Sequence, residues 1–297
     1  MAKVVSQSTN PLLDVTWRML GQRIRRVARK QPIGTVAAVY LIVVVLLAVF
    51  APLVAPYSPY KILGTRLESP GADFLLGTDS VGRDVASRVI YGARVSLSVG
   101  LLAVSLATAL GAFVGLVSGY AGGKLDILLQ RLVDALMSLP PLLLALVLAT
   151  VLGPSIRNSA LAIGIAIMPY QARVIRSMVV SIKNEQYVEA AYALGASHTR
   201  LILRAILPNC MAVIMTVASL QVAGAIIAEA SLSFLGLGAR PPTASWGEML
   251  SGPGRTYMET APWIVMAPGI ALALTVLATN LLGDALRDIL DPRLRGS

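Results

Sequence analysis

The chain has 297 residues, of which 56% are hydrophobic and only 13% are charged, whereas an average soluble domain carries about 25% charged residues. These proportions exclude a single water-soluble globule and indicate a polytopic membrane protein, because six spans of about 20 residues each fit within this length. The net charge of +10 would suit a nucleic-acid partner, but the basic residues are scattered between apolar runs, so we expect no nucleic acid to bind.

Residues 1–32 form a basic amphipathic segment. Its apolar residues recur at alternating spacings of four and three (Leu13, Trp17, Leu20, Ile24 and Val27), with Arg and Lys residues on the other positions. A helix of this kind lies along a lipid surface, and we expect Pro32 to end it. A solvated basic tail is the alternative. We expect no secretory signal peptide, because the first apolar run begins only at Ile33.

Six apolar stretches predict membrane-spanning helices. Three are long and free of charge, at 33–55, 95–120 and 261–282. The other three, at 135–152, 159–172 and 211–238, are shorter or interrupted. We therefore expect an all-α polytopic membrane protein with six transmembrane helices.

The Lys and Arg residues predict the orientation of these spans. If both termini lie in the cytosol, the inner segments carry 17 of these residues and the outer segments carry 8. This asymmetry follows the positive-inside rule. It predicts a multi-pass membrane protein with both termini cytoplasmic.

The predicted outer loop between the first two spans contains two acid–base pairs. Asp79 with Arg83, and Asp84 with Arg88, are each four residues apart. This spacing predicts a short helix at the membrane surface, stabilised by exposed ion pairs.

The second span contains a stripe of small residues, Gly111, Gly115 and Gly119, at a spacing of four. Such a stripe predicts close contact with another helix, either within the chain or in a paired subunit.

Two short helices are predicted in the inner loop, residues 181–208. The first covers 185–194, where Gly195 is expected to cap its C-terminus. Ser197 is a candidate N-cap for the second helix, and Pro208 marks the entry to the fifth span.

This loop resembles a known family. The segments YVEAA at 187–191, LGAS at 194–197 and ILPN at 206–209 are similar to the E-A-A…G motif of binding-protein-dependent ABC importer permeases. One difference is Ala205, which stands where that family often has His, so we assign the lone His198 no coupling role.

Three further segments are similar to the C-type subunit of dipeptide, oligopeptide and nickel permeases. They are LGTDSVGRD at 76–84, LSFLGLG at 232–238 and GDALRD at 283–288. The resemblance covers nearly the whole chain and implies the type I ABC importer permease fold. It divides the chain into a cytosolic helix at 1–32, the first span and outer loop at 33–94, and a core permease domain at 95–297.

The resemblance implies a permease subunit of an ATP-driven importer for di- or oligopeptides, not an enzyme. Its partners would be the lipid bilayer, a homologous second permease, two ABC ATPase subunits and an extracytoplasmic substrate-binding protein. The residues implied to couple it to the ATPase are Glu189, Ala190, Ala191, Gly195, Ala196, Leu207 and Pro208. ATP and Mg would be bound by those partners, because this chain has no G-x-x-x-x-G-K-[ST] loop.

The candidate residues for the translocation path are Glu229, Pro169 and Ser233. A charged side chain at the bilayer centre costs at least about 2.5 to 3.5 kcal/mol, so Glu229 either faces the path or its outer gate, or is held by neighbouring hydroxyls or a partner subunit. Pro169 weakens the fourth span, as broken helices do in some transporters, although proline is also common in membrane helices without a function.

The outer-loop motif has two interpretations that the sequence leaves open. Its residues either help to seat the external binding protein or only shape the loop; they are Gly77, Asp79, Gly82, Arg83, Asp84 and Arg88.

Three alternative functions remain. Nickel uptake by the same family would place metal selectivity in the binding protein, because this chain has one Cys and one His and no cluster suited to a metal. A membrane-embedded enzyme would need several acids, bases or metal ligands at one depth, where Glu229 stands essentially alone. An ion channel would need rings of charge or a filter-like sequence.

Overall fold

The computed structural model describes residues 31–290. Within that range the chain is all-α, as expected, and its helices are α1 (Pro32–Val49), α2 (Ala51–Val54), α3 (Val85–Ala121), α4 (Gly123–Met137), α5 (Pro141–Leu152), α6 (Ile156–Lys183), α7 (Gln186–Ala193), α8 (His198–Arg200), α9 (Leu207–Phe234), α10 (Trp246–Leu250), α11 (Gly252–Thr256) and α12 (Trp263–Leu290). The amphipathic helix expected at 1–32 lies outside the described residues, apart from its last two.

Within residues 31–290, four helical stretches are long and apolar enough to cross a membrane. They are Pro32–Val49, Val85–Ala121, His198–Phe234 and Trp263–Asp288. These stretches correspond to the first, second, fifth and sixth predicted spans.

The predicted third span is bent. Residues 135–152 are divided between α4 and α5, whose axes differ by 89°. The chain turns just before Pro140 and Pro141, because proline has no N–H to donate and disfavours helical backbone in the residue before it. The two halves make a fifth span only if they cross the membrane as one bent unit.

The predicted fourth span lies within α6, which is longer than expected and continues to Lys183. It carries Arg157, Arg173 and Arg176, and it does not meet the requirement for an apolar span that the four stretches meet. The count of six spans therefore stays a prediction.

Helix α3 packs along α6, which is the most extensive helix contact among residues 31–290. A Cβ atom added at Gly111 would lie 2.8 Å from the Cβ of Gln171, and one added at Gly115 would lie 2.7 Å from the carbonyl oxygen of Ala172. Real Cβ atoms do not approach other atoms so closely. The predicted glycine stripe is therefore a contact within the chain.

The outer loop does not form the predicted short helix. Residues 79–84 turn before α3 begins, and Asp84 caps α3 by accepting a hydrogen bond from the backbone N–H of Ser87 at 2.8 Å. Asp79 pairs with Arg83 at 2.7 Å, but across a turn. Gly82 lies in that turn and Gly77 lies just before it, with φ angles of 86° and 70°, which glycine adopts at little cost.

Arg88 joins this loop to a distant helix instead of pairing with Asp84. Its Nη2 atom donates to Glu248 on α10 at 2.8 Å, and its Nε atom lies 3.5 Å from Asp79. The Arg88 side chain is buried. Burial raises the pKa of Glu248, and the positive charge of Arg88 opposes that rise. Asp79, Arg83 and Arg88 thus belong to a largely buried ion cluster with Glu248 and not to an exposed helix, whereas Asp84 caps α3.

We expect Gly115→Leu to lower the stability of the protein by about 1–3 kcal/mol or more, because the new side chain would have to displace the α6 backbone. The measurement is the melting temperature of the purified protein in detergent. Gly224→Ala is the control, since a Cβ at Gly224 meets no atom within 4 Å. An unchanged melting temperature for Gly115→Leu would contradict the α3–α6 contact.

We expect Arg88→Met to destabilise the protein by about 3–5 kcal/mol, because Glu248 would stay buried without its ionic partner. Without Arg88 the pKa of Glu248 rises further, so the folded state holds its proton more tightly than the unfolded state. The loss of stability should therefore be larger at about pH 8 than at about pH 5, where the Glu248 carboxyl is closer to neutral. Thermal unfolding at both pH values checks this, with the exposed Arg240→Met as control. A loss that is equal at both pH values would speak against the buried ion pair.

Candidate functional site

The loop at 181–208 folds as one short helix followed by the start of a long one. Helix α7 covers Gln186–Ala193, close to the predicted 185–194. Helix α8, a π-helical segment at Leu201–Ile206 and α9 then follow as one stretch, so a separate second short helix is wrong. Pro208 lies where the π-helical segment passes into α9.

Gly195 ends α7 in a Schellman motif. The backbone N–H of Ala196 donates to the carbonyl of Ala191 at 3.1 Å, and the N–H of Gly195 donates to the carbonyl of Tyr192 at 2.9 Å. Gly195 has a φ of +83°, a conformation that costs other residues roughly 1–2 kcal/mol. The predicted C-cap is confirmed.

Ser197 caps the next helical stretch, also as predicted. Its hydroxyl accepts a hydrogen bond from the backbone N–H of Arg200 at 3.4 Å. The two caps fix the sharp reversal between α7 and the long stretch that ends in α9.

One face of the loop packs on the bundle, and the other face is open. Val188, Leu201 and Ile206 are buried in a cluster with residues of α6, such as Val179. On the open face the side chain of Leu194 is 89% exposed. In the described part of the chain, the loop is thus packed on the bundle by one face and exposes the apolar side chain of Leu194 on the other.

The motif residues divide between these two faces. Glu189, Ala190, Gly195 and Pro208 are exposed, whereas Ala191, Ala196 and Leu207 are half-buried.

The first and last segments of the motif are joined by a hydrogen bond. The Asn209 side-chain amide donates to the Tyr187 hydroxyl at 3.0 Å, and it also donates to the carbonyl of Ala205 at 2.6 Å. Asn209 therefore holds α7 against the start of α9.

Contacts between the loop and α3 were missed by the sequence reasoning. The Tyr120 hydroxyl lies 2.6 Å from Nδ1 of His198, and Lys183 donates to the Tyr120 carbonyl at 2.6 Å. His198, to which we assigned no role, therefore links the loop to α3. Nothing in the sequence around Tyr120 indicates this contact, because the two residues are 78 positions apart.

A second feature is a largely apolar cavity of about 530 Å³ between α4, α5, α6 and α9. Tyr170 and Gln221 contribute polar groups to it, and Gly224 leaves it open on the α9 side. Pro169, a predicted path residue, lies on its wall, whereas Glu229 and Ser233 are not among its lining residues.

Glu229 and Ser233 are instead buried in the packing of α9, each 1% exposed. The Ser233 hydroxyl donates to Oε1 of Glu229 at 2.7 Å. This contact is one of the two explanations for Glu229 given above, a carboxyl held by a neighbouring hydroxyl.

Comparison with known proteins gives the context of these features. Residues 107–296 match the family described as "Binding-protein-dependent transport system inner membrane component", and residues 20–70 match "N-terminal TM domain of oligopeptide transport permease C".

Several characterised proteins are similar over most of the chain. The dipeptide transport system permease protein DppC of Escherichia coli is 46% identical, over 88% of this chain and 89% of that protein. DppC of Alkalihalophilus pseudofirmus is 41% identical, over 90% and 88%. A putative peptide transport system permease protein of Brucella suis is 40% identical over 99% of both chains.

These matches cover the loop at 181–208, the cavity and the buried glutamate together. A membrane-embedded enzyme and an ion channel are thereby set aside, since the matched family consists of transport components. The chain belongs to the binding-protein-dependent transport system inner membrane components, as a multi-pass permease subunit of the C type found in peptide importers.

Proposed function

We propose that this chain forms half of the translocation pathway of an ATP-driven importer for di- or oligopeptides. The observation that carries the proposal is the 181–208 loop, which is locked at Gly195, seated on α6 and exposed on its far face. Such a loop can transmit the movement of a soluble partner to the helix bundle. The names of the relatives favour peptides over nickel as the substrate.

In this proposal two ABC ATPase subunits, which bind ATP and Mg, act on the loop and on its counterpart in a homologous second permease. The loop and both termini then lie in the cytosol, with residues 1–32 on the inner lipid surface. Residues 33–94 supply the first span and outer loop, and 95–297 supply the core. An extracytoplasmic binding protein delivers the substrate on the opposite side.

The coupling residues have two physical tasks in this scheme. The exposed carboxylate of Glu189 and the apolar side chain of Leu194 offer charge and surface to the ATPase. Gly195 and Ala196 hold the turn, while Leu207 and Pro208 begin α9 and connect the turn to the bundle.

The cavity beside Pro169 is the proposed path. Among the residues that line it, Tyr170 and Gln221 can hydrogen-bond to a peptide, and the rest are apolar apart from backbone groups. A wall of this kind passes varied side chains without binding any tightly, which leaves selection to the binding protein.

We expect Gly195→Val to uncouple ATP hydrolysis from transport. A β-branched residue at a φ of +83° would strain the turn by roughly 1–2 kcal/mol, which corresponds to a shift of about 5- to 30-fold away from the observed turn. The measurement is peptide uptake per ATP hydrolysed in proteoliposomes. Glu189→Lys, which reverses an exposed charge and leaves the backbone alone, should have the same effect.

Gly122→Val is the matched control for Gly195→Val. Gly122 also has a positive φ, +66°, and open space around it, but it lies between α3 and α4. If Gly195→Val lowered membrane levels and coupling no more than Gly122→Val did, the coupling role would be unsupported.

We expect Gly224→Phe to slow peptide uptake while the ATPase rate is kept, because the new ring would project into the cavity. A Cβ at this position meets no atom within 4 Å, so the fold should tolerate the change. Uptake assays with peptides of increasing size check this, and the larger peptides should be affected most. Uptake equal to wild type would place the path elsewhere.

A further inference from the structure

The segment from Leu235 to Leu250, which follows α9 and ends in α10, is held tightly against α3 and α9. Trp246 is 1% exposed, and its indole N–H donates to the carbonyl of Val89 on α3 at 3.0 Å. A Cβ on Gly247 would lie 2.3 Å from the carbonyl of Ala230 on α9. We call residues 235–250 the return segment.

Three serine hydroxyls accept backbone N–H groups of the return segment. Ser233 on α9 accepts from Ala239 at 3.2 Å. Ser96 on α3 accepts from Trp246 at 3.3 Å. Ser245, in the segment itself, accepts from Glu248 at 3.1 Å and caps α10. All three serines are 1% exposed or less.

Glu229 accepts a hydrogen bond from one of these serines. Ser233 donates to its Oε1 atom at 2.7 Å. A hydroxyl that accepts an N–H still has its own proton to donate. Ser233 thus joins the backbone of the return segment at Ala239 to the Glu229 carboxyl.

One oxygen of the Glu229 carboxyl is an unused hydrogen-bond acceptor. The Oε2 atom of Glu229 is buried and makes no hydrogen bond to any residue that the structure describes. Leaving a buried acceptor unpaired costs free energy. The hydrogen bond from a neighbouring hydroxyl therefore stabilises the carboxyl.

We propose that Glu229 is a positioning residue that, through Ser233, fixes the return segment on α3 and α9 and thereby shapes the surface on which an external binding protein seats. The last step of this inference rests on the proposed function. The first step, that Glu229 holds the segment, concerns this chain alone.

The first experiment measures amide hydrogen exchange in the intact complex. Glu229→Ala should speed exchange at Ala239, Trp246 and Glu248 by about tenfold, the factor expected when one net hydrogen bond is lost. Glu229→Gln should have a smaller effect, because its side-chain oxygen still accepts from Ser233.

Ser233→Ala and Ser231→Ala form a matched pair on the same helix. The Ser231 hydroxyl donates within α9, to the carbonyl of Ile227 at 2.8 Å. We expect faster exchange in the return segment for Ser233→Ala and wild-type exchange for Ser231→Ala. Wild-type exchange in Glu229→Ala, Glu229→Gln and Ser233→Ala alike would overturn the proposal.

The second experiment uses the importer in proteoliposomes with its binding protein, first identified by co-purification. Glu229→Gln and Ser233→Ala should raise the concentration of binding protein that half-maximally stimulates ATP hydrolysis, by about fivefold or more, and should change the maximal rate much less. A purely structural defect would lower the maximal rate instead.

The two experiments separate the possible failures. If no binding protein stimulates the wild-type complex, the proposed function fails, while the exchange rates still judge Glu229. If exchange is faster in the variants but the half-maximal concentration is unchanged, the link to the external protein is wrong.

Discussion

The close approach of α3 and α6 is the contact on which the rest of the structure depends. Glycines on α3 let its backbone reach Ala172 and its neighbours on α6, so the two helices pack closely along this stripe. Each helix also carries a functional feature at one end. Arg88 and its ion cluster lie near the start of α3, and the loop with α7 follows the end of α6.

In this arrangement a small number of contacts ties the helices together at each end of the bundle. Tyr120 at the end of α3 contacts His198 and Lys183, so the loop that follows α6 is also held to α3. At the other end, the return segment connects α3 with α9. A force applied at the loop therefore acts on α3, α6 and α9 together. This suits a subunit whose helices move as one unit.

Local features of the fold were predictable from the sequence, because short-range rules determine them. Gly195 and Ser197 follow capping rules that involve only their near neighbours, and both caps were confirmed. The apolar runs likewise revealed four spans. The angle of the bend at 140–141 depends on how α4 and α5 pack, which no local rule supplies.

Long-range features were not predictable in the same way. A spacing of four residues fits a helix and also fits a tight turn, and the turn at Gly82 decided between them for Asp79 and Arg83. Arg88 found its partner, Glu248, 160 residues away. From the sequence, hydroxyls as a class could be proposed as partners of Glu229, but not the particular hydroxyl that binds it.

The length of α3 has a mechanical consequence. Its 37 residues extend over about 56 Å at 1.5 Å per residue, whereas the hydrocarbon core of a bilayer is about 30 Å thick. The helix therefore reaches well beyond the hydrocarbon layer. A swing of about 10° around one tip would carry the other tip by about 10 Å, so a small rotation at one membrane face becomes a wide sweep at the opposite face.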